Sequence, residues 1–420
     1  MFDRAQGWWA TLLACGLGAS GCMAADGSDR LAGGAAPDGA GDAYHPSPAD
    51  QACPGSAFER IGPVLPGEDD VNDWFGVPDD QLERWIIADA GNFGDGHGSV
   101  ERYHGFRLSD SDGETIGYTL TGLAQFEHSA LLRSWLGIAI PRGVAKGFVV
   151  EDVGALEGPF GSATDRRYRV TRDGEEVRLN GTRGRVMLVT STHGGPRGAG
   201  LVVANGLTER LLAHEISGKP CSDLALDPPI AGGWAPRLPV SWIFDMHRRR
   251  LTVGGVPFVA RGSDQPRFEK TADGVARVSL ATDQCLSLTQ DGFCSKAGKN
   301  GLHLSYAEHP SAEEAAASFA QLLDGLAAIA QPLDTDSRFA SVSEAHVADF
   351  GCNASQCVAV AHVRRATLVA SVWLWVYDPT EIGGDRKTLV TDAAAAENAW
   401  VLAACKGVDP LVRPAYCPPT

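Results

Sequence analysis

Apolar and polar positions change character three times along the chain. Trp8 to Leu17 is a run of about ten mostly apolar residues, too short to span a bilayer, which needs roughly 20. Residues 23–52 then carry Ala, Gly, Asp, Ser and Pro and almost no large apolar side chain. Such a segment cannot bury enough surface to offset its ordering entropy, so it reads as a flexible tether; His45 within it is incidental. From Cys53 the apolar positions return with periodicity. Leu82, Trp85 and Ile86 recur at helical spacing behind Pro78-Asp79-Asp80-Gln81, which predicts a short helix capped by Asp79 or Asp80. Phe106–Leu108, a turn at Asp110-Ser111-Asp112-Gly113 and Thr115–Leu120 read as strand, turn, strand. Ala124 to Trp135 predicts a helix with Leu131, Leu132 and Trp135 inward. Hairpin turns are expected at Arg172-Asp173-Gly174 and Ala272-Asp273-Gly274. Val186–Val189 and Leu201–Ala204 read as short strands, Leu207–Ile216 as a helix, and Val240–Phe244 with Leu251–Val259 as a strand pair.

Beyond about Gln265 the texture alters. Val275–Leu288 and Leu302–Tyr306 read as strands. Ser311 caps a helix expected to run to about Ala330, with Glu314 at the reciprocal position. Cys357–Val363 and Thr367–Tyr377 form a hairpin turning at Arg364-Arg365-Ala366, with apolar residues on both faces. Thr391–Cys405 is a second, Ala-rich helix carrying Trp400. The fold class is therefore α+β: a β-rich first domain with a few helices (53–265), then an α+β domain with a hairpin and two helices (266–420). A signal peptide (1–21) and a disordered linker opening at Cys22 (22–52) precede them.

Composition narrows this. Of the residues, 44% are apolar and 21% charged, and the net charge is −16. That acidity argues against nucleic acid and against binding an anionic membrane by charge. The longest later apolar run, Leu368 to Val376, is short of membrane length. Ten cysteines are present. Cys15 and Cys22 belong to the leader; Cys53, Cys221, Cys285, Cys294, Cys352, Cys357, Cys405 and Cys417 remain. An even number in an exported chain suggests disulfides. Cys285 with Cys294 is the best local pair, across a turn at Gln290-Asp291-Gly292. Cys352 with Cys357 and Cys405 with Cys417 are plausible, which leaves Cys53 with Cys221, although sequence alone leaves the connectivity open. No pair has the two-residue spacing of a zinc knuckle, and no metal or cofactor is expected.

Small residues lead from the apolar run into Ala19-Ser20-Gly21-Cys22, which resembles the lipobox of bacterial lipoproteins. The resemblance implies cleavage before Cys22, with its thiol as the lipid attachment point. Leu is commoner where Ala19 stands, and Arg4 is offset by Asp3. Leu12-Leu13-Ala14-Cys15 matches better but leaves too short an apolar run before it. The rival is ordinary secretion with cleavage after Ala24. Two or three acyl chains would hold the protein on a membrane without crossing it. The order strand, Ser-Ala-Glu-Glu-Ala helix, hairpin, helix in the last 110 or so residues resembles the extracellular sensor-type modules of some bacterial lipoproteins and receptor kinases.

Several motifs carry possible chemistry. Thr192-His193-Gly194-Gly195-Pro196 resembles the oxyanion loop of α/β-hydrolases, but no Gly-x-Ser-x-Gly nucleophile turn follows. His214-Glu215 lacks the second histidine of a zinc protease, because Gly218 stands there; it reads as a surface pair. Asp110, Asp112 and Glu114 have oxygens for calcium but also the pattern of a hairpin tip. Asp95-Gly96-His97-Gly98, with His104, offers an anion or metal loop. Arg248-Arg249-Arg250 reads as a solvated turn. Trp373 and Trp375 share one strand face: exposed, they form a carbohydrate platform; buried, they are core. No catalytic set is complete. The expected role is a lipid-anchored cell-envelope protein that binds or scaffolds an envelope or extracellular partner. The alternative is an exported hydrolase acting on envelope or extracellular polymers. Clustering of His97, His104, His193 or His214 with carboxylates would favour the enzyme.

Overall fold

The computed structural model describes residues 46–76, 82–88, 99–109, 112, 114–145, 147–194, 198–230, 232, 234–243, 250–260, 267–288, 294–334 and 339–419. Three short helices open it: α1 (Pro48–Gln51), α2 (Ala57–Ile61) and α3 (Glu68–Phe75). Ser47 caps α1, and Ser56 with Glu59 forms a reciprocal capping box on α2. Residues 46–52, expected as the end of the tether, are thus part of the fold. Asp50 is buried against Arg185, whose two terminal nitrogens donate to its carboxylate at 2.9 and 2.8 Å. Burial pushes the Asp50 carboxyl up, but Arg185, Ser47 and Arg60 outweigh it and hold it below its ordinary value.

The described strands form two antiparallel sheets, and the chain is α+β. The first sheet holds β1 (Leu82–Ala88), β2 (Ser99–Ser109), β3 (Thr115–Phe126), β4 (Val149–Asp152), β5 (Arg166–Arg172), β6 (Glu175–Arg183) and β7 (Val186–Gly194), in the order β1-β2-β3-β7-β6-β5-β4. Leu82–Ile86 is therefore strand, not the expected helix: its Trp and Ile residues suit a pleated surface, and β2 supplies backbone partners that spacing does not reveal. Asp173 and Gly174 both have positive φ, 53° and 84°, which a two-residue hairpin between β5 and β6 requires.

Helix α4 (Ser129–Ala145) begins later than expected, because Ala124–Phe126 stay in β3; Ala124 and Gln125 pair with Met187 and Val186 of β7. Leu131 and Leu132 are buried and Trp135 packs beside them. After α5 (Pro159–Ala163) comes α6 (Ala199–Glu215), which absorbs Leu201–Ala204. That run is too short for periodicity to separate strand from helix, and Val203, Leu207 and Leu211 settle it by burying one helical face. Val240–Ile243 is likewise a helical turn, α7, not a strand.

The second sheet holds β8 (Arg250–Val253), β9 (Val256–Ala260), β10 (Arg267–Lys270), β11 (Ala276–Leu288), β12 (Cys294–Glu308), β13 (Ala330–Pro332), β14 (Glu344–Cys352), β15 (Cys357–Arg365) and β16 (Leu368–Val376). Its order is β13-β14-β15-β16-β12-β11-β9-β8, with β10 on β11. Helix α8 (Ala312–Asp324), capped by Ser311, ends before Ala330, which instead enters β13. Helix α9 (Arg386–Lys406) starts earlier than its apolar pattern suggests, at an Asp385 cap. It covers the inner face of the second sheet, where Val372 and Leu374 meet Val390, Ala393 and Val401. The same apolar cluster takes in Phe126 and Leu131 from the first half and Trp242 from α7, so α4, α7 and α9 join the sheets through one core. Among the described residues no helix is long and apolar enough to cross a membrane.

Four disulfides staple this fold: Cys53–Cys221, Cys285–Cys294, Cys352–Cys357 and Cys405–Cys417. They mark an exported protein, since such bonds persist in oxidising compartments.

Candidate functional site

Successive residues of a strand point to opposite faces. On β11, β12, β16, β15 and β14 one face meets α9; the other is the outer face. Strand register arranges that outer face in four rows. The first is Arg277, Ala307, Val369, Arg364, Glu344; the second Ser279, Ser305, Ser371, His362, His346. The third is Ala281, His303, Trp373, Val360, Ala348, and the fourth Asp283, Gly301, Trp375, Val358 and Gly351.

Helix α8 covers only one end of this face. Ala315 and Phe319 bury Val369, and Phe319 sits edge-on to His346 at 6.0 Å. The third and fourth rows lie beyond it. There Trp373 and Trp375 are part-exposed and near-parallel, with ring centres 6.4 Å apart at 22°. Phe350 lies near-parallel to Trp373 at 5.9 Å and 20° and is 48% exposed; Tyr377, just past the end of β16, is 49% exposed. Phe350 falls on this face by alternation with His346 and Ala348, and β14 slips register just there, between Asp349 and Gly351. Gly351 has a φ of 73°, which accommodates this irregularity beside Phe350. The turn beyond is held by Cys352–Cys357 and by Asn353, whose side-chain oxygen accepts from the backbone of Ser355 and Gln356.

Beneath Trp373 the imidazole of His362 is buried. Its Nδ1 lies 2.7 Å from the Ser371 hydroxyl and its ring stands edge-on to Trp373. Burial, with His346 beside it, lowers its pKa to about 4. No carboxylate orients this imidazole among the described contacts, so the Ser371–His362 pair lacks the third member that activates a nucleophile.

The other motifs lie elsewhere. Thr192–Gly194 continue β7 and pair with Gly117–Thr119, so they are ladder residues rather than an oxyanion loop. His104 is buried on β2 and donates from Nδ1 to the Pro66 carbonyl at 2.7 Å. His214 ends α6. Its neighbour Glu215 is not a surface group: its carboxylate is buried and takes three bonds of 2.7–3.0 Å from Arg183. Asp112 is exposed at the β2–β3 turn. Arg250 opens β8. Cys22, His45, Asp95–Gly98 with His97, Asp110, Gly195, Pro196, Arg248 and Arg249 lie outside the described residues. Among the described residues no three His, Cys, Asp or Glu groups gather to hold a metal.

One trio that the sequence did not suggest is Ser129, His128 and Asp227. Ser129 donates its hydroxyl directly to Asp227, which also accepts from the Ser129 backbone at 2.7 Å. His128 spends Nδ1 on the Ala130 backbone, and its Nε2 is 3.7 Å from the same carboxylate. The three share Asp227 instead of relaying through the imidazole, so Asp227 acts as a remote cap of α4. A cleft of about 360 Å³ adjoins it beside Cys53–Cys221. Its walls include Asp50, Arg60 and Arg185, which are paired with one another.

Sequence reasoning singled out Trp373 and Trp375 but missed Phe350. A signal existed for Phe350, since Ala345 and Val347 alternate with His346 and Ala348 just ahead of Cys352.

No protein-family model and no curated protein sequence matches the chain. Among solved structures, the extracellular domain of the kinase PknH from Mycobacterium tuberculosis shows a weak likeness. It spans 37% of this chain and 95% of that domain, at 12% identity and a TM-score of 0.26.

Proposed function

We propose that this exported protein is an envelope binding protein, anchored by an acylated Cys22, whose ligand-contacting surface is the open end of the outer sheet face. The observation that carries this reading is the row Phe350, Trp373, Trp375 and Tyr377, left uncovered by α8 on a rigid, disulfide-braced sheet. Contiguous exposed aromatic surface on a folded chain marks an interaction site more often than a packing accident. Aromatic rings supply contact area at small entropic cost.

The experiment uses a Cys22→Ser chain exported with its disulfides formed and mixed with isolated cell envelope of its host. The chain is expected to sediment with the envelope, and Trp373→Ala with Trp375→Ala to leave most of it in the supernatant while thermal unfolding stays cooperative. Equal sedimentation of both chains would remove the aromatic face from the reading. In cells, Cys22→Ser is expected to move the protein from the membrane fraction to the soluble extracytoplasmic fraction; unchanged membrane retention would remove the lipid anchor.

A further inference from the structure

Helix α8 lies across three strands of the outer face. It packs on β15 and β16, where Ala315 and Phe319 close over Val369, and Phe319 reaches His346 on β14. Between Val369 and His346 the outward residues of β15 are Arg364 and His362, so α8 roofs the His362 ring, which is 2% exposed. The hold of this roof is slight. Of its 13 residues Ala315 and Phe319 are buried, with Leu323 packed beside them. Helix α9, on the other face, buries side chains from Leu389 to Cys405 and is tied down by Cys405–Cys417 and by Trp400, whose Nε1 donates to the Ile243 carbonyl at 3.0 Å. Helix α8 can also lift without breaking the sheet. Just ahead of it His309 donates its backbone N–H to the Thr367 carbonyl, and just behind it Ala330–Pro332 pair with β14.

We infer that α8 is an acid-released cover of the outer sheet face, closed at neutral pH and lifted as His362 takes up a proton, which uncovers Ser371, His362 and His346 beside the aromatic row. This goes beyond the binding reading and stands whatever the row binds. The ring's Nδ1 is matched to the Ser371 hydroxyl, and its Nε2 is buried with no hydrogen bond to any described residue. Protonation turns both ring nitrogens into donors. It leaves an N–H and a full charge beneath an apolar helix, a cost that water relieves once α8 lifts. The groups around the ring do not offset that cost. Arg364, on the same strand, is a cation, and His346 faces the ring from β14. Glu344, also on β14, is shared by Arg364 and His346 at 3.4 Å each. Strand β16 presents Ser371 and Trp373, and α8 keeps Glu313, Glu314 and Asp324 exposed. Under the closed helix the ring takes its proton near pH 4, whereas a solvated imidazole takes it near 6.5. Between these values the open form binds the extra proton, so acid draws α8 off the sheet.

The test is amide hydrogen exchange on the exported Cys22→Ser chain between pH 7 and pH 4, corrected for the pH dependence of intrinsic exchange, with α9 as the internal control. The opening equilibrium of α8 is expected to rise about a hundredfold across that range, while α9 keeps its protection. His362→Gln is expected to flatten the α8 response, and His346→Gln to leave it in place. Phe319→Ala is expected to raise α8 exchange already at pH 7 and to leave α9 unchanged. The proposal is overturned if α8 protection does not change with pH, if α8 and α9 lose protection together, or if the response survives His362→Gln. Loss of the response in His346→Gln alone would overturn it too, by moving the trigger to the other histidine. Should His362→Gln fail to fold, the wild-type comparison of α8 with α9 and the His346→Gln profile still decide the matter.

Discussion

At the scale of single residues, His362 links the chemistry of the face to its stability. Its ring is buried and neutral in the folded chain because burial and His346 pull its pKa from 6.5 to about 4. An unfolded chain protonates the same ring near pH 6.5. Between these values the unfolded state binds the extra proton, so the stability this histidine contributes is present above pH 6.5 and is lost as pH falls toward 4. The full shift corresponds to about 3 kcal/mol. Urea unfolding of the wild type and of His362→Gln measures it. The stability difference between them is expected to fall by about 2–3 kcal/mol from pH 7 to pH 4, whereas a constant difference would mean that the ring is solvated.

At the scale of elements, two helices from different halves touch backbone to backbone. A Cβ built on Gly137 of α4 would lie 2.3 Å from the carbonyl oxygen of Gly407, just past the end of α9. Gly143, in the same helix, has open space at that position. Alanine improves helix propensity at both sites by up to about 1 kcal/mol, but at Gly137 the obstruction is backbone and overpacking costs about 1–3 kcal/mol. Gly143→Ala is therefore expected to raise the denaturation midpoint and Gly137→Ala to lower it; a rise in both would deny the close approach. Sequence pattern could not have exposed that contact, since it joins positions remote in the chain. It did expose strongly apolar elements: β12, with Leu302, Leu304 and Tyr306 on one face, and the hairpin of β15 and β16, apolar on both. It failed at Leu82–Ile86, Leu201–Ala204 and Val240–Ile243, where a short apolar run fits either period and tertiary partners decide. The same limit applied at the site. Two tryptophans on one strand were legible, but their neighbours across the sheet, Gly301 and Val360, are set only by pairing with other strands.

At the scale of the whole molecule, the disulfides divide into those that restrain the chain and those that shape the face. Cys53–Cys221 spans 168 residues and ties the segment after α1 to the segment after α6, beside the first sheet. Cys352–Cys357 spans 5 and closes the β14–β15 turn next to the Phe350 bulge. In the chain-entropy account a crosslink stabilises with the logarithm of its loop, giving about 5 kcal/mol for the first and about 2 kcal/mol for the second. Stability and binding should therefore respond in opposite order. Replacing Cys53 and Cys221 with serine is expected to lower the urea midpoint more, while chain that remains folded keeps its affinity for the envelope. Replacing Cys352 and Cys357 is expected to cost less stability but to weaken envelope binding, because the turn that sets Phe350 against Trp373 is released. Denaturation curves and envelope sedimentation on both variants test this together. Equal loss of binding in the two would show that the aromatic face depends on global stability alone, and that its geometry is not set by the turn beside it.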